Sequence, residues 1–106
     1  MVSLDEILLI NHSHTDIGYT HDQPTVWEIH RRSIDKAIEL AADDLDSPGP
    51  DAHRWTVETS GAFLHWLDTA TEDQVDRFEE VEANGLVEVT GLLANNSTLY
   101  GPAELI

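Results

Sequence analysis

At 106 residues, 41% of them hydrophobic, the chain has the length of one small domain with a modest core. Twenty-one Asp and Glu stand against five Lys and Arg, a formal net charge of −16 that makes nucleic acid and anionic membranes poor partners and suits a cytoplasm rich in salt, where the screening length falls to about 3 Å at 1 M. The absence of cysteine excludes disulfides, thiolate ligands and thiol catalysis within the chain, and with no basic-then-apolar leader and no run of roughly 20 apolar residues the expected address is cytoplasmic.

The first predicted element is a strand over residues 6–11. Its Glu6-Ile7-Leu8-Leu9-Ile10 run is continuously apolar, as in a central parallel strand covered on both faces. Directly behind it comes Asn11-His12-Ser13-His14-Thr15-Asp16-Ile17-Gly18-Tyr19. Side chains two apart in an extended backbone point to the same side, so His12, His14 and Asp16 can converge where the strand ends. Imidazole nitrogen together with carboxylate oxygen suits zinc or a similar divalent ion, which holds such donors at about 2.0–2.2 Å. The trio reads as half of a metal site, and Gly18 lets the backbone turn close to whatever is bound. A plain hydrogen bond to neighbouring backbone is the competing reading, and it fits an isolated histidine better than this spacing.

Pro24 suits the first turn of a helix, and Val26, Ile29, Ile34, Ala37, Ile38, Ala41 and Leu45 recur at helical spacing, predicting a long amphipathic helix that ends near Leu45. Ser47-Pro48-Gly49-Pro50-Asp51 breaks it. Residues 54–59 then form a second strand, and strand, helix and strand imply a right-handed parallel crossover. Ser60 or Thr59 caps a short helix through Phe63, Leu64, Trp66 and Leu67. Thr71-Glu72-Asp73-Gln74 has the spacing of a capping box opening a further helix to Asn84; Gly85 suits the left-handed stop, and residues 86–90 form a third strand. A polar loop over 93–100 leads to Gly101-Pro102-Ala103-Glu104-Leu105-Ile106, which reads as another helix start. The acidic runs Asp43-Asp44-Leu45-Asp46 and Glu79-Glu80-Val81-Glu82 read as solvated helix faces, since no calcium-loop pattern accompanies them. The expected fold class is α/β, a parallel sheet with crossover helices. Residues 1–106 would form an incomplete, β/α barrel-like N-terminal portion of a longer domain.

Ligands of parallel α/β folds sit beyond the carboxyl ends of the strands, which is where His12, His14 and Asp16 lie. Glu58, inside the second strand, either anchors that site or lies at the strand's wet end, because a buried carboxylate needs a partner. Trp27, Trp55 and Trp66 fall within predicted elements and read as core. His21 reads as an exposed loop residue, and His30, His53 and His65, without partners at metal-ligand spacing, carry no assigned function.

The segment His12-Ser13-His14-Thr15-Asp16-Ile17-Gly18-Tyr19 closely resembles the signature opening the catalytic domain of the family 38 glycoside hydrolases, the α-mannosidases, usually His-Ser-His-x-Asp-x-Gly-Trp. More weakly, Trp55-Thr56-Val57-Glu58, Trp66 and the run from Val81 to Gly91 are similar to the family's second strand, following helix and third strand. The resemblance covers most of the chain but only the N-terminal part of a considerably longer family domain. It implies zinc as cofactor, His14 and Asp16 as ligands to it, and His12 as a residue orienting those ligands. The implied chemistry is retaining hydrolysis of α-mannosides by an aspartate nucleophile and a second carboxylic acid. That nucleophile and a further zinc ligand are expected beyond Ile106, so Asp22 is not promoted and no catalytic residue is assigned within the chain.

Two departures stand out. Tyr19 replaces the family Trp and keeps an aromatic, substrate-binding wall. Gly91-Leu92-Leu93-Ala94-Asn95-Asn96 replaces a Gly-Gly-Trp stretch followed by an acid, and Asn95 and Asn96 serve either sugar hydroxyls or a turn. The implied partners are an α-mannoside carbohydrate and, to complete the site, a complementary C-terminal chain or a second copy. One rival reading is an amidohydrolase-type hydrolase, in which a His-x-His pair binds metal and activates water; the Asp-x-Gly-aromatic continuation opposes it. The other is a non-catalytic, truncated metal-binding fragment, which the missing nucleophile favours.

Overall fold

In the computed structural model, which describes residues 3–19 and 21–95, the chain runs α1 (Gln23–Ala42), β1 (Trp55–Val57), α2 (Ser60–Leu67), α3 (Glu72–Ala83) and β2 (Val87–Val89). Helix α1 starts behind extended Asp22 with Pro24 in its first turn, where a missing N–H costs nothing. Its buried stripe is Val26, His30, Ile34, Ala37, Ile38 and Ala41. The helix stops three residues short of the expected Leu45. There the amides of Asp44 and Leu45 donate three residues back, to Ala41 and Ala42 at 3.1 and 3.2 Å, so the chain tightens into turns. Leu45 still packs against the core.

Strands β1 and β2 pair in parallel, with Trp55 opposite Val87 and Val57 opposite Val89. Helices α2 and α3 make the crossover between them. Both halves of the expected capping box are present: the Gln74 amide donates to Thr71 Oγ1 at 3.3 Å, and the Thr71 amide to Gln74 Oε1 at 2.9 Å. Gly85 follows α3 at φ 68°, the left-handed conformation that a helix stop of this kind needs. Ile34, Ile38 and Ala41 of α1, Val57 of β1, Ala62 and Trp66 of α2, Val81 of α3 and Leu86 and Val87 form one core. Trp66 is buried there and its indole N–H donates to Asp35 Oδ1 at 2.7 Å, so its single polar atom is satisfied. Trp27 and Trp55 pack at the margin of the same core.

The expected first strand needs correction. Residues 6–11 form no strand; a single parallel bridge, His12 to Thr56, joins the end of this segment to the free edge of β1. Leu8 and Leu9 are 75% and 88% exposed. A central strand needs a neighbour on each side and helices over both faces. Here β1 is the one neighbour among the described residues, and the helices pack on β1, β2 and one another. The direction of the bridge does agree with a parallel crossover through α1. The expected helix start after Gly101 and most of the 93–100 loop lie outside the described residues. No described helix is long and apolar enough to cross a membrane. The fold is α/β, mixed helices around a small parallel sheet.

Candidate metal centre

The bridge between His12 and Thr56 sets the register of the site. The Thr56 amide donates to the Asn11 carbonyl at 2.8 Å, and the Asn11 side-chain amide donates to the Arg54 carbonyl at 3.2 Å. Two residues further along each segment, at the carboxyl end of the sheet, His14 meets Glu58. The His14 Nδ1 atom lies 2.9 Å from each Glu58 carboxylate oxygen, and Nε2 lies 3.1 Å from Asp16 Oδ1. One imidazole is thus held between two carboxylates that are 44 and 2 residues away in sequence.

Asn95, beyond β2, closes the group, its amide nitrogen 3.1 Å from His14 Nδ1. When Nδ1 carries a proton it donates to Glu58 and cannot also accept, and the Asn95 N–H is then left for the Glu58 carboxylate, where it favours the ionised form. The segment bearing Asn95 is fixed at the start of α2, where the Ser60 and Gly61 amides donate to the Leu92 and Leu93 carbonyls at 2.8 and 3.0 Å. A side chain on Gly61 would run into the Leu93 carbonyl oxygen, so glycine permits this approach.

The charges reinforce the geometry. Hydrogen bonding and charge from Glu58 raise the His14 pKa above the ordinary imidazole value against the opposing effect of desolvation, with smaller help from the charge and hydrogen bond of Asp16. Burial alone would push the Glu58 carboxyl up, but hydrogen bonds from His14 and Asn95 and the nearby imidazoles bring it below the ordinary carboxylate value. His12 stands 3.7 Å from Glu58 Oε1; its contact is with that carboxylate. Tyr19 is 84% exposed.

His30, to which the sequence assigned nothing, is part of the support. It is buried in the apolar stripe of α1, and its Nε2 lies 3.1 Å from the carbonyl oxygen of Thr15, the residue between His14 and Asp16. Its place four residues from Val26 and four from Ile34 was the available signal, since a histidine in a core stripe must bond to something. Asn96 lies outside the described residues.

The donor set fits a divalent ion in part. Two ligands of a tetrahedral zinc stand about 3.3 Å apart, close to the separation of His14 Nε2 and Asp16 Oδ1, so both could reach one cation. Glu58 sits across the ring from Asp16 and does not face the same point. Accordingly, among the described residues no three His, Asp or Glu side chains are grouped to hold a metal ion.

Neither a curated protein nor a solved structure matches the chain. The model of the glycosyl hydrolases family 38 N-terminal domain does match, over residues 5–98, and leaves the amidohydrolase-type reading without support. Because that match runs from the exposed apolar segment through the His14 and Glu58 pair to the loop bearing Asn95, it takes in every residue that builds this centre, and the chain belongs to the N-terminal domain of family 38 of the glycosyl hydrolases.

Proposed function

We propose that residues 1–106 are the N-terminal portion of the catalytic domain of a zinc-dependent, retaining glycosidase that removes terminal α-mannose. The observation that carries this reading is the convergence of His14 Nε2 and Asp16 Oδ1, inside the family signature and beyond the carboxyl end of a parallel sheet. His14 and Asp16 would hold the ion with one neutral nitrogen and one anionic oxygen. Zinc, when bound, grips sugar hydroxyls and stabilises charge developing on the ring. Tyr19, at the turn made by Gly18, offers an aromatic wall to the sugar. The nucleophile, the acid and the remaining ligands would come from a complementary C-terminal chain, from further residues of the polypeptide or from a second copy of the chain. On the same reading β1 and β2 belong to a β/α barrel-like sheet, with the 6–12 segment lying along the free edge of β1, and the charge of −16 suits a salt-rich cytoplasm.

The test is hydrolysis of an aryl α-mannoside and an aryl ester, by the chain alone and by the chain completed with the rest of its domain. Mannoside turnover by the completed domain, lost with a chelator and restored by zinc, is the expected result. Ester cleavage without mannoside cleavage overturns the substrate class. Clear turnover by the isolated monomer overturns the division of the site.

A further inference from the structure

We infer that Glu58 is the positioning residue that selects the metal-binding tautomer of His14, an inference that rests on the reading of His14 and Asp16 as zinc ligands. A neutral imidazole ligates through whichever nitrogen lacks the proton, and the other nitrogen's partner decides which that is. An unconstrained histidine side chain in water favours the proton on Nε2, the nitrogen that here faces Asp16. Glu58 reverses that preference. Both carboxylates can only accept while ionised, but Glu58 offers two oxygens at 2.9 Å from a 25% exposed side chain and Asp16 one at 3.1 Å from a 58% exposed side chain, so the stronger acceptor holds the proton on Nδ1. The Nε2 lone pair is then left pointing at the same space as Asp16 Oδ1.

Glu58 is itself held for this task. Its side chain is 25% exposed, its backbone carbonyl accepts from the Thr90 hydroxyl, and the Asn95 amide nitrogen stands beside it, 3.1 Å from the same His14 Nδ1. The orienting role that the signature suggests for His12 passes to Glu58, because His12 approaches Glu58 and not the His14 ring. The competing possibility is an ordinary ion pair in which a doubly protonated His14 bridges two carboxylates and neither tautomer is selected.

Ring-nitrogen spectra of the metal-free chain, recorded through two-bond proton–nitrogen couplings at about pH 9 so that imidazole is neutral, read the tautomer directly. The wild type is expected to carry the His14 proton on Nδ1. Glu58→Leu should move it to Nε2, and Glu58→Gln, whose amide oxygen still accepts, should restore most of the Nδ1–H form. Titration of the completed domain with zinc chloride should show affinity falling about 10- to 100-fold in Glu58→Leu and less in Glu58→Gln. A wild-type proton on Nε2 overturns the inference whatever the variants do, as does a Glu58→Leu chain with unchanged tautomer and zinc affinity. If the completed wild-type domain binds no zinc while the metal-free chain shows the Nδ1–H form that Glu58→Leu abolishes, the zinc reading fails and the hold of Glu58 on the His14 tautomer stands.

Discussion

Asp16 and His14 share one contact, yet removing each takes away something different. Asp16→Ala deletes the anionic donor beside Nε2, and equilibrium dialysis of the completed domain should find zinc binding abolished; stoichiometric zinc in that variant would sink the ligand assignment. His12→Ala removes only a 3.7 Å approach to Glu58, so its loss should stay below about tenfold, the lower end for groups that act through a ligand. Protons compete with zinc for Nε2. Since Glu58 and Asp16 raise the His14 pKa, zinc affinity should begin to fall at a pH above the ordinary imidazole value of 6.5. In the metal-free chain the same pair has a stability window. His14's raised pKa contributes stability that is fully present below 6.5 and is lost as pH rises through the folded value. Glu58's lowered pKa contributes stability that is present above 4.5 and is lost as pH falls through the folded value. Melting of wild type and His14→Ala should therefore differ most between 4.5 and 6.5 and converge in alkali, and a difference independent of pH would contradict the pairing.

Elements here depend on a few terminal contacts. Thr71→Ala removes one half of the capping box on α3 and should cost about 1 kcal/mol in urea unfolding, the usual loss for such a cap. Gly61→Ala should do more, because its new methyl meets the Leu93 carbonyl and must push the 92–95 segment, with Asn95, away from Glu58. The Asn95 side-chain amide resonance would report that displacement. The contrast between these two sites also explains what the sequence could disclose. The cap of α3, the stop at Gly85 and the stripe of α1 are local patterns, each written in residues a few positions apart. The apolar run at residues 7–10 says that something should cover it, not what, and a central strand was the wrong inference for the described chain. His30 was hidden because Ile29 fits the same stripe when only apolar residues are counted. Glu58 meets His14 through a register between segments 44 residues apart, which no local pattern encodes, so the sequence could offer only the alternatives of anchor or wet end.

Across the whole molecule the imbalance of charge is unevenly placed. Three of the five cations, Arg31, Arg32 and Lys36, lie on α1 and are already paired there with Glu28, Asp35 and Glu39 at 2.6–3.0 Å. Arg54 is occupied with the carbonyls of Gly49, Pro50 and Ala52. Helix α3 therefore sets Glu72, Asp73, Asp76, Glu79, Glu80 and Glu82 against Arg77 alone within the helix. In dilute buffer these carboxylates repel across α3, and folding concentrates them relative to the open chain. Added KCl should raise the melting temperature steeply at first and then level off, since screening is nearly complete once the Debye length, about 3 Å at 1 M, is shorter than the spacing between charges. Each kcal/mol of relieved repulsion corresponds to about 4–8 °C for a domain of this size. Replacing Glu79, Glu80 and Glu82 with Gln should flatten the early, screening part of the curve and leave any later rise untouched, because a rise continuing into molar salt comes from strengthened apolar burial. That later part has its own signature: the same salt acts on exposed Leu8 and Leu9, so it should appear together with a growing sedimentation coefficient. A melting temperature flat from dilute to molar KCl removes the salt-rich setting, whereas a rise that survives the three substitutions unchanged assigns the effect to apolar surface and not to charge.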